Sequence, residues 1–181
     1  KNAISVLEEI TKAKKEYVLL TNAPRPKKTV RVILEKMGMS REISEKVYSS
    51  GEASLSYLKK NYSNKKFYHI GPPRDFDLFL DFKKNKTTDI KESYYLLCTG
   101  LFEKQNVDLN YYKDFLKEHI DKKLICTNPD LIVERGDKRE LCAGSVALVF
   151  EKMGGEVIYF GKPFPEVYNL SINNKDKKVL S

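Results

Sequence analysis

Short apolar runs alternate along the chain with segments in which apolar residues recur at helical spacing. Five runs predict strands: Tyr17–Leu20, Lys66–Ile70, Tyr94–Cys98, Leu124–Cys126 and Val157–Phe160. Helical spacing predicts helices at 2–15, around Val30–Met37 before Gly38, and at 51–61, 110–120, 141–153 and 164–172, with a short helix or turn at 75–82. Strands that alternate with helices favour right-handed βαβ units, so the predicted fold class is α/β with a mostly parallel sheet.

Polar residues follow three of these runs directly. They are Thr21-Asn22, Asn128-Pro129-Asp130 and Gly161-Lys162-Pro163. Functional residues of parallel sheets collect just beyond the carboxyl ends of the strands. If the first and last runs belong to one sheet, Thr21 and Lys162 should lie close together. A hydroxyl with backbone amides opposite a lysine ammonium could then hold an oxyanion.

Composition and charge exclude several classes of protein. Hydrophobic residues make up 41% of the sequence, enough for a folded domain. No apolar run approaches the roughly 20 residues needed to span a bilayer, so we expect a cytoplasmic protein. The formal charge of +8 is spread over lysine doublets rather than gathered in one arm, which disfavours nucleic-acid binding. Three widely spaced cysteines and two histidines indicate reduced thiols rather than a structural zinc site.

The polar strand ends resemble sequence motifs of the haloacid dehalogenase (HAD) superfamily. Leu19–Asn22 resembles its second motif, and Gly161–Pro163 its third. Cys126–Asp130 and Cys142–Ser145 resemble stretches of the class IIA branch, and Gly71–Asp75 those of one subgroup. Class IIA members are sugar-phosphate and nucleotide phosphatases with an α/β cap inserted between motifs two and three. The resemblance implies a partial Rossmann-like HAD core at 1–65 and 160–181, with the inserted α/β cap at 66–159.

The resemblance also implies roles for five residues. Thr21 and Asn22 would bind phosphate, and Lys162 would be the catalytic residue that stabilises charge. Asn128 and Asp130 would border the substrate at the junction of cap and core. The implied cofactor is Mg²⁺, the implied ligand a phosphorylated small molecule, and the implied association a homo-oligomer formed through the cap.

Two aspartate motifs of the family do not occur at their expected places in the 181 residues. The first, Asp-x-Asp-Gly, would precede the first helix, and the fourth, Gly-Asp, would follow a strand near Val179-Leu180. Asp75-Phe76-Asp77 has the spacing of the first motif, but its context predicts a helix start. Gly136-Asp137 lies in a charged segment that predicts a surface turn. Because nucleophile and metal ligands are missing, we expect no activity from these residues alone.

Three hypotheses remain open at this stage. The sequence could be part of a complete phosphatase, or an inactive remnant that keeps a phosphate-binding or protein-binding surface. It could also be a basic, nucleic-acid-binding module that shares only the scaffold, since a fold does not fix a function.

Overall fold

The computed structural model describes residues 2–172, without the side chains of Asn2 and Arg135. The helices are α1 (Asn2–Lys12), α2 (Lys27–Lys36), α3 (Arg41–Ser44), α4 (Ser50–Asn61), α5 (Leu109–Leu116), α6 (Ala143–Lys152) and α7 (Pro165–Ser171). Short 3₁₀ helices span Pro73–Asn85, Ile90–Glu92, Glu103–Gln105 and Lys117–His119. None of the helices described is long and apolar enough to cross a membrane.

A five-stranded parallel sheet forms the centre of the molecule. Its strands, from one edge to the other, are β4 (Lys86–Thr87), β3 (Phe67–Ile70), β5 (Tyr95–Cys98), β6 (Lys123–Cys126) and β9 (Glu156–Tyr159). The four longer strands of this sheet begin within a residue or two of the predicted positions. The structure therefore confirms an α/β fold with a parallel sheet.

Side chains of alternate strand residues build two apolar layers, one on each face of the sheet. Phe67, Tyr95, Leu97 and Ile125 pack with α4, α7 and the 3₁₀ helix Pro73–Asn85. Ile70, Leu96, Leu124 and Cys126 pack with α5 and α6 on the other face. Helices thus cover both faces, which explains why these strands are continuously apolar in sequence. The division into core (1–65 and 160–181) and cap (66–159) stays a prediction.

A second, smaller sheet holds the first predicted strand. β1 (Leu19–Thr21) pairs in parallel with β2 (Val47–Ser49), and within residues 2–172 neither strand joins the large sheet. The expectation that the strands before Thr21 and Lys162 share one sheet was therefore wrong. The β1 side chains are half-buried rather than enclosed on both faces, because among the described residues β1 has only one neighbouring strand.

The sequence patterns did not predict α3, β2, β4 or the antiparallel hairpin of β7 (Ile132–Arg135) and β8 (Lys138–Leu141). The hairpin encloses the predicted turn at Gly136-Asp137, which is confirmed. Leu141 belongs to the second strand of the hairpin, so α6 begins two residues later than predicted. The strand expected near Val179-Leu180 lies outside the described residues.

The buried layer against α6 gives a stability prediction. Phe150 is fully buried in this layer, whereas Phe76 is 52% exposed. We expect Phe150→Ala to lower the free energy of unfolding by about 3–5 kcal/mol, because truncation removes apolar burial and leaves a cavity. Phe76→Ala makes the same chemical change and should cost less than about 1 kcal/mol. Urea unfolding of both variants measures this, and equal losses would contradict the assigned layer.

Candidate functional site

A cleft of about 670 Å³ opens at the carboxyl ends of several strands. Its walls come mainly from residues in the segments 21–25, 72–75, 99–107, 128–130 and 133–142. The first four of these follow β1, β3, β5 and β6, and the last belongs to the hairpin and the start of α6. Thr21, Asn22, Asn128 and Asp130, which were predicted as site residues from the sequence, all line this cleft.

The strand order explains why a cleft forms there. From β3 the chain moves to β4 on one side, and then crosses to β5, β6 and β9 on the other side. β3 and β5 are therefore neighbours at which the direction of winding reverses. The connections that leave such a pair diverge to opposite faces, so a crevice remains outside their carboxyl ends. Pro72 and Thr99 follow these two strands and line the cleft.

The carboxamide of Asn22 joins three separate segments of chain. Its Nδ2 donates to Asp130 Oδ1 at 2.8 Å and to the Lys162 carbonyl oxygen at 3.0 Å. Its Oδ1 accepts from the Lys162 backbone N–H at 2.7 Å. The loops that follow β1, β6 and β9 therefore meet at one side chain, although β1 lies outside the large sheet. Both amide protons of Asn22 are used in these bonds.

Gly161 permits this close approach. Its φ is +127°, in a region that favours glycine. A Cβ at this position would lie 2.5 Å from Pro129 Cδ and 2.7 Å from Asn22 Oδ1. A side chain would therefore force apart the loops that Asn22 joins.

The Asn128–Asp130 segment is held by its own turn. Asn128 Oδ1 accepts from the Asp130 backbone N–H at 3.0 Å, which fixes the carboxylate that Asn22 contacts. Ser50 at the start of α4 is fully buried, with its Oγ 2.6 Å from the Thr127 carbonyl oxygen and 2.9 Å from that of Ala23. Ser50 can donate its single hydroxyl proton to only one of these two carbonyl oxygens at a time. The loops that contain Ala23 and Thr127 nevertheless both pack against Ser50.

Thr21 and Lys162 differ in how they reach the cleft. The Thr21 hydroxyl accepts from the Ala23 backbone N–H at 3.3 Å and lies in the cleft wall. Lys162 is exposed, and only its backbone is bonded to Asn22. Lys162 therefore lies at the margin of the cleft rather than among the residues that line it.

A partly buried ion pair ties the β1 loop to the 3₁₀ helix Pro73–Asn85. Arg25 reaches Asp77 with Nη2–Oδ2 at 3.0 Å and Nε–Oδ2 at 3.1 Å. Thr29 donates to the same Oδ2 at 2.6 Å, and Arg25 also donates to the Arg74 carbonyl oxygen. Asp77 is thus engaged in joining two elements. The prediction that Asp75–Asp77 is a helix start is confirmed, since the helix begins at Pro73.

Sequence reasoning missed a buried polar group formed by Asp75, Thr99 and His69. These side chains are 5%, 2% and 6% exposed, and His69 Nε2 lies 2.9 Å from Thr99 Oγ1. Burial lowers the pKa of His69 to about 3, with help from the Lys86 charge. Burial also raises the pKa of the Asp75 carboxyl, and a hydrogen bond from Thr99 opposes that rise. The signal in the sequence that could have indicated this polar group is the position of Thr99 directly after an apolar strand.

The described residues do not fit the metal that the resemblance implies. In the range 2–172, no three His, Cys, Asp or Glu side chains are grouped so that they could hold an ion. Asp130, which lines the cleft, is hydrogen-bonded to Asn22.

Comparisons with known proteins point to one family. The model of the haloacid dehalogenase-like hydrolase family matches residues 1–82. No curated protein matches the sequence. Among solved structures, a haloacid dehalogenase-like hydrolase from Brucella suis 1330 is 26% identical over 93% of this chain, with a TM-score of 0.82.

Two further structures share the fold at lower identity. A possible sugar phosphatase of the HAD superfamily from Cytophaga hutchinsonii ATCC 33406 is 19% identical over 93% of this chain, with a TM-score of 0.72. A p-nitrophenyl phosphatase from Archaeoglobus fulgidus is 18% identical over 93% of this chain, with a TM-score of 0.68. The chain covers 62% of the Brucella protein and 63% and 64% of the other two, less than two thirds of each.

The neutral state of His69 gives a pH prediction. Its pKa is about 3 in the folded protein and close to 6.5 when unfolded, so the unfolded chain alone gains this proton as the pH falls below 6.5. Relative to His69→Gln, the free energy of unfolding of the wild type should fall by about 1.4 kcal/mol per pH unit between pH 6 and 4. Denaturant titrations at several pH values measure this. A difference that does not change with pH would contradict a buried, neutral His69.

Proposed function

We propose that this chain, whose residues 1–82 match the haloacid dehalogenase-like hydrolase family, serves the hydrolysis of small-molecule phosphate monoesters in this cleft. The observation that carries the proposal is the meeting of three loops at Asn22. These loops contain the stretches that resemble family motifs, namely Thr21-Asn22, Asn128–Asp130 and Gly161–Pro163. They are far apart in sequence, so their contact is not imposed by chain connectivity.

The proposed phosphate position lies beside Thr21 and Lys162. The Thr21 hydroxyl can donate to a phosphoryl oxygen while it accepts from Ala23. The Lys162 ammonium at the margin of the cleft would neutralise charge that develops on the phosphoryl group. Asn22, whose amide protons are both used, would act by positioning these two loops. Asn128 and Asp130, in the loop that Asn22 contacts, would border the substrate.

The covalent chemistry implied by the family needs an aspartate that these 181 residues do not provide in the expected motif. In that chemistry a carboxylate attacks phosphorus, the alcohol leaves, and water then hydrolyses the aspartyl-phosphate. The family also implies Mg²⁺, which the described residues do not fit. We therefore propose that the 181 residues alone bind phosphate weakly and do not turn over an ester.

We also propose a reducing, cytoplasmic setting for this protein. Cys98, Cys126 and Cys142 are all buried, and among the residues described they form no disulfide. Reduced thiols are usual where glutathione and thioredoxin maintain them. Association of copies through the cap is a further proposal, which sedimentation of the whole protein would test.

Turnover of p-nitrophenyl phosphate with Mg²⁺ tests the proposed function in the whole protein that contains this chain. We expect measurable hydrolysis, and we expect Lys162→Ala to lower kcat/KM by roughly 100-fold or more, as removal of one charge-stabilising donor does. Lys152→Ala removes an exposed lysine from α6 and serves as the matched control. It should leave kcat/KM unchanged.

Other outcomes distinguish the alternatives. Turnover that Lys162→Ala leaves intact would contradict the assigned site. Phosphate binding without turnover by the whole protein would indicate an inactive remnant. Binding of nucleic acid in place of phosphate esters would favour the basic binding module.

A further inference from the structure

The buried carboxylate of Asp75 lies in the wall of the same cleft as the loop proposed to bind phosphate. Asp75 and Thr21 both line the cleft, and they belong to the separate segments that follow β3 and β1. Asp75 is only 5% exposed, so most of the carboxylate is shielded from water. Burial of a charge without a dedicated cation is unfavourable, and a neutral residue would fill this position at lower cost.

Two further side chains fix the orientation of Asp75. With Asp75 ionised, the Thr99 hydroxyl donates to its carboxylate, and Thr99 Oγ1 is left as an acceptor. His69 Nε2, 2.9 Å from that oxygen, must then carry the proton and donate to it. The donors form a short chain directed towards Asp75, which strengthens its acceptor character.

The backbone around this chain of donors is adapted to it. Gly71 has a φ of +152° and lies directly after β3. A Cβ there would overlap Thr99 Oγ1 and would lie 2.9 Å from His69 Nε2. Any other residue at position 71 would therefore displace the pair that holds Asp75. Three segments converge on this one carboxylate at the point where the winding of the sheet reverses.

We propose that Asp75 is a specificity-determining residue that accepts a hydrogen bond from a hydroxyl group on the alcohol part of the phosphate ester. A carboxylate has about four lone-pair positions, of which the Thr99 hydroxyl uses one, so acceptor capacity remains for a ligand in the cleft. The proposal rests on the proposed phosphatase function.

The surroundings favour a neutral hydroxyl over an ammonium group as the donor. Arg74 lies close enough for its charge to act on Asp75, and it also lines the cleft. A cationic ligand would be repelled by this guanidinium group, whereas a hydroxyl would not. The favoured substrates are therefore phosphate monoesters whose alcohol part carries a free hydroxyl group.

Three phosphate esters distinguish the role of Asp75 from the general phosphatase function. Glycerol phosphate carries free hydroxyl groups, and phosphoethanolamine carries an ammonium group. The alcohol part of p-nitrophenyl phosphate has no hydrogen-bond donor. In the whole protein, we expect Asp75→Asn to lower kcat/KM for glycerol phosphate about 10-fold more than for p-nitrophenyl phosphate, and Asp75→Ala about 100-fold more. Asp81→Asn is the matched control, because Asp81 is an exposed carboxylate on the same helix. It should leave all three rates unchanged.

The possible failures are distinct. No hydrolysis of p-nitrophenyl phosphate by a folded wild type would reject the phosphatase function itself, and this proposal with it. Hydrolysis of p-nitrophenyl phosphate with equal losses for both esters in the Asp75 variants would overturn only the specificity role. Wild-type hydrolysis of p-nitrophenyl phosphate without measurable hydrolysis of glycerol phosphate would also overturn it. A selective loss for phosphoethanolamine would overturn the assignment of a hydroxyl donor.

Discussion

The site depends on the side chain of Asn22. β1 pairs only with β2 among the described residues, so no backbone ladder there joins the Thr21 loop to the five-stranded sheet. Three hydrogen bonds from the Asn22 carboxamide, to Asp130 and to the Lys162 backbone, connect it to the loops after β6 and β9. An asparagine suits this role because it offers two donors and an acceptor on one short, stiff side chain. An aspartate would lack both donors.

Charge distribution in the cleft follows from the same packing. Asp77 is neutralised by Arg25 and Thr29, and Asp130 accepts a hydrogen bond from Asn22. Asp75, by contrast, is supported by the Thr99 hydroxyl and the neutral imidazole of His69 rather than by a paired cation. The proposed site thus combines an anion-binding part, at Thr21 and Lys162, with a hydrogen-bond acceptor at Asp75. This combination suits a ligand that carries both a phosphate and a hydroxyl group.

The sequence predicted the elements that have enough length to show a pattern. The apolar runs Tyr94–Cys98 and Leu124–Cys126 correspond to strands covered on both faces. β2 and β4 have three residues and two, too short for a periodicity to appear. Of the site, the strand-end positions of Asn128 and Asp130 were predictable, because parallel strands place their carboxyl ends at one edge. The same argument does not account for Asn22, because β1 lies outside the large sheet. The burial of Asp75 was not, because it arises from contacts with Thr99 and His69, which lie in other elements.

A double-mutant cycle on Asn22 and Asp130 tests the central claim most directly, since it isolates the bond between two loops 108 positions apart. Urea unfolding of the wild type, Asn22→Ala, Asp130→Ala and the double variant yields their coupling free energy. We predict a coupling of about 1–3 kcal/mol, as for a hydrogen bond to a charged group. Asn106 is an exposed residue that also lines the cleft. In a control cycle that combines Asn106→Ala with Asp130→Ala, the two changes in unfolding free energy should be additive. Additivity within about 0.3 kcal/mol for Asn22 and Asp130 would contradict the claim that Asn22 holds the site together.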